Sequence, residues 1–306
     1  MRTSSYRVVF FIAAIALTAC STGTSPLTPP FANPAASTVR LPPGWPVGDK
    51  AGKPILFVAD LQGNVVRMYD PNTPNPSAEG TITDGVFGPQ GIAVDSKGAL
   101  YVSNVGYPKS TITVYAPGQS KPRLTIPGPG YYGLAVDSKG DIFGTFTGGT
   151  VSAYRPGAKK PYETIGGFVN PNGIAVDAKD NVWVADDTAN KVSIIAAGTK
   201  TVKDSGLQEL NSPIGLSFGA GDSLYVANFG RYNVAVYKSG SKKPAYTITD
   251  GITGPTLNGI TAANIFFQSN QLHNVVGYQK GKRAPFSTIV GNSDPLGIAS
   301  SPLVKK

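Results

Sequence analysis

Four short phrases end in an oxygen-bearing side chain: Leu56-Phe-Val-Ala-Asp60, Leu100-Tyr-Val-Ser-Asn104, Val182-Trp-Val-Ala-Asp186 and Leu224-Tyr-Val-Ala-Asn228. Carboxylate and carboxamide oxygens are the donors that calcium takes. A second set precedes a different recurring phrase: Gln90, Tyr132, Asn172 and Asn258, with Ile214 and Leu296 at the equivalent places. If both sets face the same end of the fold, Asp60, Gln90, Asn104, Tyr132, Asn172, Asp186, Asn228 and Asn258 form a candidate ligand mouth. No carboxylate occupies the six innermost positions, so no metal is expected there, with calcium kept as the alternative. Asp and Asn at strand ends also cap turns, and capping is the reading these positions favour.

Little else could carry out catalysis. The chain has one His and one Cys. One Cys cannot form an internal disulfide or a cysteine-based zinc site. One His excludes any mechanism that needs two. His273 precedes Asn274-Val275 in a turn and reads as a surface residue. There is no Gly-x-Ser-x-Gly elbow, and the glycine-rich stretches lie in turns, not between a strand and a helix, so phosphate cradling is not expected.

The elements that position these residues repeat. The first phrase recurs as Gly91-Ile-Ala-Val-Asp95, Gly133-Leu-Ala-Val-Asp137, Gly173-Ile-Ala-Val-Asp177, Gly215-Leu-Ser-Phe-Gly219, Gly259-Ile-Thr-Ala-Ala263 and Gly297-Ile-Ala-Ser-Ser301. Its spacing is about 40 residues, the period of a propeller blade of four strands. The second phrase has an aromatic residue at its second place: Phe57, Tyr101, Phe143, Trp183, Tyr225 and Phe266. These are expected to wedge neighbouring blades together. A third strand ends in Tyr69, Tyr115, Tyr154, Tyr237 or Tyr278, with Ile195 in the remaining copy. Turns such as Asp95-Ser-Lys-Gly98 place Asp at the start and Gly where φ is positive. The repeat opens on a second strand at Leu56 and ends on a lone first strand at Gly297. Pairing these would close a ring and hide two edges. The expectation is an all-β, six-bladed β-propeller whose first blade is completed by the C-terminal strand.

Pro171-Asn-Gly-Ile-Ala-Val-Asp177, Val182-Trp-Val-Ala-Asp186 and Asn190-Lys-Val192 resemble NHL-repeat propellers. The resemblance covers about residues 55–301 and implies the fold, not the function. Six-bladed relatives include calcium-dependent lactonases of the gluconolactonase type, which implies a metal-dependent hydrolase as the alternative function. Lyase propellers of similar fold use histidines that His273 alone does not supply.

The N-terminus reads as an address. Arg2 and Arg7 precede an apolar run, Val8–Ala19, of the proportions of a secretory signal. Leu17-Thr18-Ala19-Cys20 resembles a bacterial lipobox, which implies lipidation of Cys20 and a firm membrane anchor. Ser21 after the Cys implies the outer membrane in a Gram-negative host. The expected organisation is a signal peptide over 1–19, a Pro-rich tether over 20–54 and the propeller over 55–306. Trp45 is expected to dock on the propeller.

The chain has 27 Lys and Arg against 18 Asp and Glu, a net charge of +9. Strand order in a propeller places the first and third turns of each blade at one end. Lys121, Arg123, Lys159, Lys160, Lys242, Lys243, Lys282 and Arg283 fall there and form a candidate contact for an anionic surface. No exposed aromatics are interleaved with them, so nucleic acid is not the expected partner. The expected function is a non-catalytic binding or scaffold propeller of the cell envelope, monomeric, engaging a protein or an anionic glycan.

Overall fold

The computed structural model describes residues 54–301 except 107–109, 147 and 272. Cys20, Trp45, the signal segment 1–19 and all of the tether but Pro54 lie outside the described residues. The described chain contains 24 strands, β1 (Ile55–Asp60) through β24 (Pro295–Ser301). They form six four-stranded antiparallel sheets. One sheet has the order β24-β1-β2-β3, so the last strand completes the first blade. Ile55 stands opposite Ser301 and Val58 opposite Ile298. The molecule is a six-bladed β-propeller. We name the blades A to F from this closing sheet onward.

Blades have two apolar faces and stack on one another, so the core is divided among the seams. Six buried apolar clusters lie one at each seam. Trp183 of blade D meets Phe218 of blade E edge-on, with ring centroids 5.6 Å apart. Tyr225 of blade E stacks on Phe266 of blade F at 4.7 Å. The second place of the second phrase is thus a wedge in blades A to E as expected, while in blade F that place is Phe267, at the seam with blade A, not Phe266.

The glycine of the first phrase has a steric cause. A Cβ on Gly91 would lie 2.6 Å from the Tyr132 carbonyl oxygen, and one on Gly133 would lie 2.6 Å from that of Asn172. Gly173 meets the Ile214 carbonyl in the same way. Around the axis, in five of the six blades the innermost strand approaches the backbone of the next too closely at this place for any side chain. In five blades this strand opens on a proline: Pro89, Pro171, Pro213, Pro255 and Pro295. Proline is tolerated at the first residue of a strand. A register shift follows each of these prolines.

Those prolines correct the sequence alignment in blade F. Asn258 pairs with Gln268, as Ile92 pairs with Val102 and Ile174 with Val184. Asn258 therefore sits one level deeper than Gln90, Tyr132 and Asn172, and Leu257 stands where other blades carry the glycine. The second phrase of blade F likewise begins at Phe266 and ends at Asn270. Gly259 and Ile265 mimic the repeat out of register, because blade F carries two extra residues between Pro255 and its glycine.

Candidate functional site

The strand-end oxygens are committed to structure. Asp60 is fully buried and accepts the Gly63, Ser293 and Asp294 N–H groups at 2.9–3.2 Å. The Arg67 guanidinium pairs with it at 3.1 Å. Asp186 accepts the N–H groups of Val169, Asn170 and Ala189. Asn104, Asn228 and Asn270 each accept one N–H, from Phe87, Asn211 and Thr253. Gly63 and Ala189 lie in the turn after the second strand, and the other donors belong to the crossover loop that enters the same blade. These oxygens fasten each crossover loop to its blade, and Asp60 does so where the ring closes.

Blade C is the exception. Phe146 ends its second strand, and the polar role passes to Thr145, whose Oγ1 accepts the Gly133 N–H and donates to the Asn172 carbonyl at 2.5 Å. Tyr131 is buried there against Gly144, where a Cβ would lie 2.6 Å from the ring.

The third-strand tyrosines perform a related task. Each hydroxyl reaches the crossover loop: Tyr69 to Asn292, Tyr115 to the Asp84 carbonyl, Tyr154 to Tyr131, Tyr237 to the Gln208 carbonyl and Tyr278 to the Asp250 carbonyl. Burial raises the Tyr237 phenol to about 12, with the charge of Glu209 adding to it.

The remaining mouth residues surround the axis. Gln90, Asn172 and Asn258 are buried, and Tyr132 is half-buried. Burial raises the Tyr132 phenol, and the Asp187 carboxylate adds to the shift. Asn170 bridges this corner, donating to Asp187 at 2.7 Å and accepting from Asn172 at 3.2 Å. Below the mouth lies an axial cavity of about 180 Å³, lined mainly by Gly, Ile, Leu and Ala of the innermost strands. Asn258, Ser217 and Ser300 are its polar lining residues, all from β16 (Pro213–Gly219), β20 (Pro255–Ile260) and β24. Of the mouth residues, Asn258 alone lines this cavity. Among the described residues, no three His, Cys, Asp or Glu side chains converge as metal ligands would.

The opposite end is built from Asp turns and Lys turns. Asp95, Asp137 and Asp177 each accept the N–H groups two and four residues on, at 2.8–2.9 Å. The positive φ falls on Gly98, Gly140 and Asp180. Where the Asp is missing, Thr261 accepts the Ile265 N–H in blade F, and a 3-10 turn, Ala220–Asp222, replaces the motif in blade E. All eight candidate basic residues are exposed. None is ion-paired to a carboxylate among the described residues, whereas Arg67, Arg155 and Lys200 are. Lys242 reaches the Ser205 carbonyl, and the Arg283 guanidinium lies 5.2 Å over the Tyr246 ring.

No family model matches the chain, and no curated protein matches it. Solved structures do. A chain from the crystal structure of a nidogen/laminin complex superposes with a TM-score of 0.68 at 17% identity, covering 83% of this chain and 100% of that one. At that identity the likeness shows the fold alone. Since 1331 solved chains match, the architecture does not by itself single out a function.

The sequence singles out the strand-end oxygens and the basic turns. It does not single out Tyr232 and Glu209 on the rim of blade E, whose signal is a departure from the repeat.

Proposed function

We propose that the chain is a non-catalytic, NHL-type binding propeller of the cell envelope. It is anchored through a lipid on Cys20, held off the membrane by the Pro-rich segment, and presents its basic end to a polyanionic partner, a protein or an acidic glycan. One observation carries this reading: eight exposed Lys and Arg share one end and none is neutralised by a carboxylate among the described residues. The similar propeller in the nidogen/laminin structure is found in a protein complex, which supports binding as a use of this architecture. The strand-end Asp and Asn oxygens already satisfy crossover loops, so they favour a structural role over metal catalysis.

Two measurements test the reading. Cell fractionation of the full chain against Cys20→Ser should show the wild type in the membrane fraction, carrying labelled fatty acid, and the variant released. A polyanion column should retain the full chain at low salt. A variant that stays in the membrane fraction would remove the anchor, and passage through the column at low salt would remove the basic surface.

A further inference from the structure

The crossover loops of this propeller use left-handed backbone at fixed places. Four residues before the innermost proline, φ is positive at Gly85, Gly167, Gly251 and Gly291. One residue before it, φ is positive at Gly88 and Gly254. The turn between second and third strands has its left-handed residue just before the third strand: Asn64, Gly149 and Asn190. Glycine adopts this conformation without a steric penalty, and Asn tolerates it better than most residues. The two asparagines also serve the ring, accepting the Gly88 and Ser212 N–H groups of the next blade at 2.7 and 2.8 Å.

Blade E breaks the rule at all three places. Glu209 has φ 62, Ser212 has φ 51 and Tyr232 has φ 48. His273 breaks it in blade F at the turn alone. A bulky side chain in left-handed backbone is an outlier, and strain of this kind persists at ligand clamps where the surroundings over-determine it. The surroundings here do so. Arg231 Nη1 donates to the Glu209 carbonyl at 3.0 Å, the Gln208 N–H donates to the Lys242 carbonyl at 2.8 Å, and the Tyr237 hydroxyl fixes the Gln208 carbonyl at 2.6 Å. Phe229 backs Tyr232 edge-on at 6.0 Å.

The result is a rigid rim that presents an exposed ring. Tyr232 is 57% exposed, and Glu209 and Arg231 are exposed beside it. Neither Tyr232 nor the Glu209 carboxylate supports a neighbouring blade in the way Asn64 and Asn190 do. An exposed aromatic face, with a guanidinium on the preceding residue and a carboxylate and a hydroxyl on the loop that Arg231 and the Phe229 N–H hold against this turn, matches a ligand with an apolar face and many hydroxyl groups. We infer that the rim of blade E is a saccharide-binding site, with one sugar ring stacked on Tyr232 and its hydroxyls held by Glu209, Ser212 and Arg231. A protein hot spot would instead call for a well-packed apolar surround, and here the one aromatic neighbour of Tyr232 among the described residues is the half-buried Phe229 behind it. The site does not rest on the polyanion reading, although its Gln208 N–H bonds the Lys242 carbonyl of the basic turn in blade E.

The test restores the repeat. Tyr232→Asn, Glu209→Gly and Ser212→Gly each install a residue type that other blades carry at that place. The full chain and each variant would be titrated by NMR saturation transfer with cellobiose and N,N′-diacetylchitobiose, and melted in parallel. The expected result is saturable binding of at least one disaccharide, weakened about tenfold or more in Tyr232→Asn, together with a melting point that rises or stays level in all three variants. A rise of about 2–4 °C would correspond to relieved strain. Absence of saturable binding by either sugar would overturn the inference. So would undiminished binding in Tyr232→Asn, or a fall in melting point in all three variants, which would assign the strained residues to packing.

Discussion

Trp183 Nε1 donates to Asp177 Oδ2 at 2.9 Å, tying the wedge between blades D and E to the Asp turn of blade D. Asn181 Nδ2 donates to the same oxygen at 2.9 Å. Burial acts to raise the Asp177 carboxyl, but these donors, with the Asn181 and Lys179 N–H groups, outweigh it and hold it below its usual range. The equivalent Asp137 of blade C has Phe143 in place of the indole and Asp141 in place of the amide. Burial pushes Asp137 up, and the charge of Asp141 adds to the shift. One turn motif thus titrates in opposite directions in adjacent blades because two neighbours differ.

Trp183→Phe keeps the ring and removes the donor. We expect a loss of roughly 1.5–3 kcal/mol at neutral pH, the range for a hydrogen bond to a charged group, with Asn181 still satisfying the same oxygen. Asp177 is depressed in the folded state, so its stabilisation is present above the ordinary value of 3.8 and is lost as pH falls below it. The gap between wild type and variant should therefore be largest at pH 7 and shrink near pH 3. Urea unfolding at both pH values measures it. A gap that does not depend on pH would assign the effect to packing alone.

Gly91→Ala tests the close approach at the axis. Its Cβ would meet the Tyr132 carbonyl at 2.6 Å, and backbone cannot yield as a flexible side chain can. Overpacking of this kind costs roughly 1–3 kcal/mol or more. Gly166→Ala is the control, since its Cβ would meet nothing within 4 Å and its φ is not left-handed. It should be neutral or slightly stabilising through the unfolded chain. Equal melting points for the two variants would refute the steric account.

The axial glycines, wedge aromatics and closing strand were legible in the sequence because six copies average out local accident. Blade F was misread by register because Gly259 offers a glycine two residues late and Ile265 an apolar residue one early. The true marker was Pro255, which fixes the start of β20. Blade C was opaque for another reason. Tyr131 fills the space that Gly144 leaves, and this pair belongs to blade C alone, so no repeat reveals it. For the candidate mouth, residue types were readable but not their partners. Nothing in the order of residues says that Asp60 meets the N–H groups of Ser293 and Asp294, because that contact exists only once the ring is closed.

Tyr237→Phe removes the hydroxyl that holds the Gln208 carbonyl at 2.6 Å. The loss should be about 1 kcal/mol, a fall of about 2–4 °C in melting point for a domain of this size. Ile195 shows that a blade forms without this latch, so the variant should still fold. The phenol is raised from 10.0 to about 12 in the folded state. Its stabilisation is present below pH 10 and lost as pH rises toward 12. The variant should lose less stability than the wild type across that alkaline window. Unfolding midpoints taken at pH 9 and pH 11 decide the point, and parallel losses in the two proteins would contradict it.

Charge reversal tests the basic end. Lys159→Glu with Lys160→Glu changes two exposed residues on the turn of blade C, and Lys242→Glu with Lys243→Glu does the same in blade E. Exposed charges interact over a screening length of about 10 Å at 0.1 M salt and about 3 Å at 1 M. If the end binds a polyanion such as heparin through its summed field, both double variants should elute at lower salt than the wild type, and the combined variant lower still. The Lys242 ammonium also touches the Ser205 carbonyl. The blade E pair should therefore lower the melting point slightly, while the blade C pair should leave it unchanged. That difference separates loss of field from loss of fold. Retention that survives 1 M salt, or that is the same in all variants, would mean the turns keep the domain soluble and do not bind.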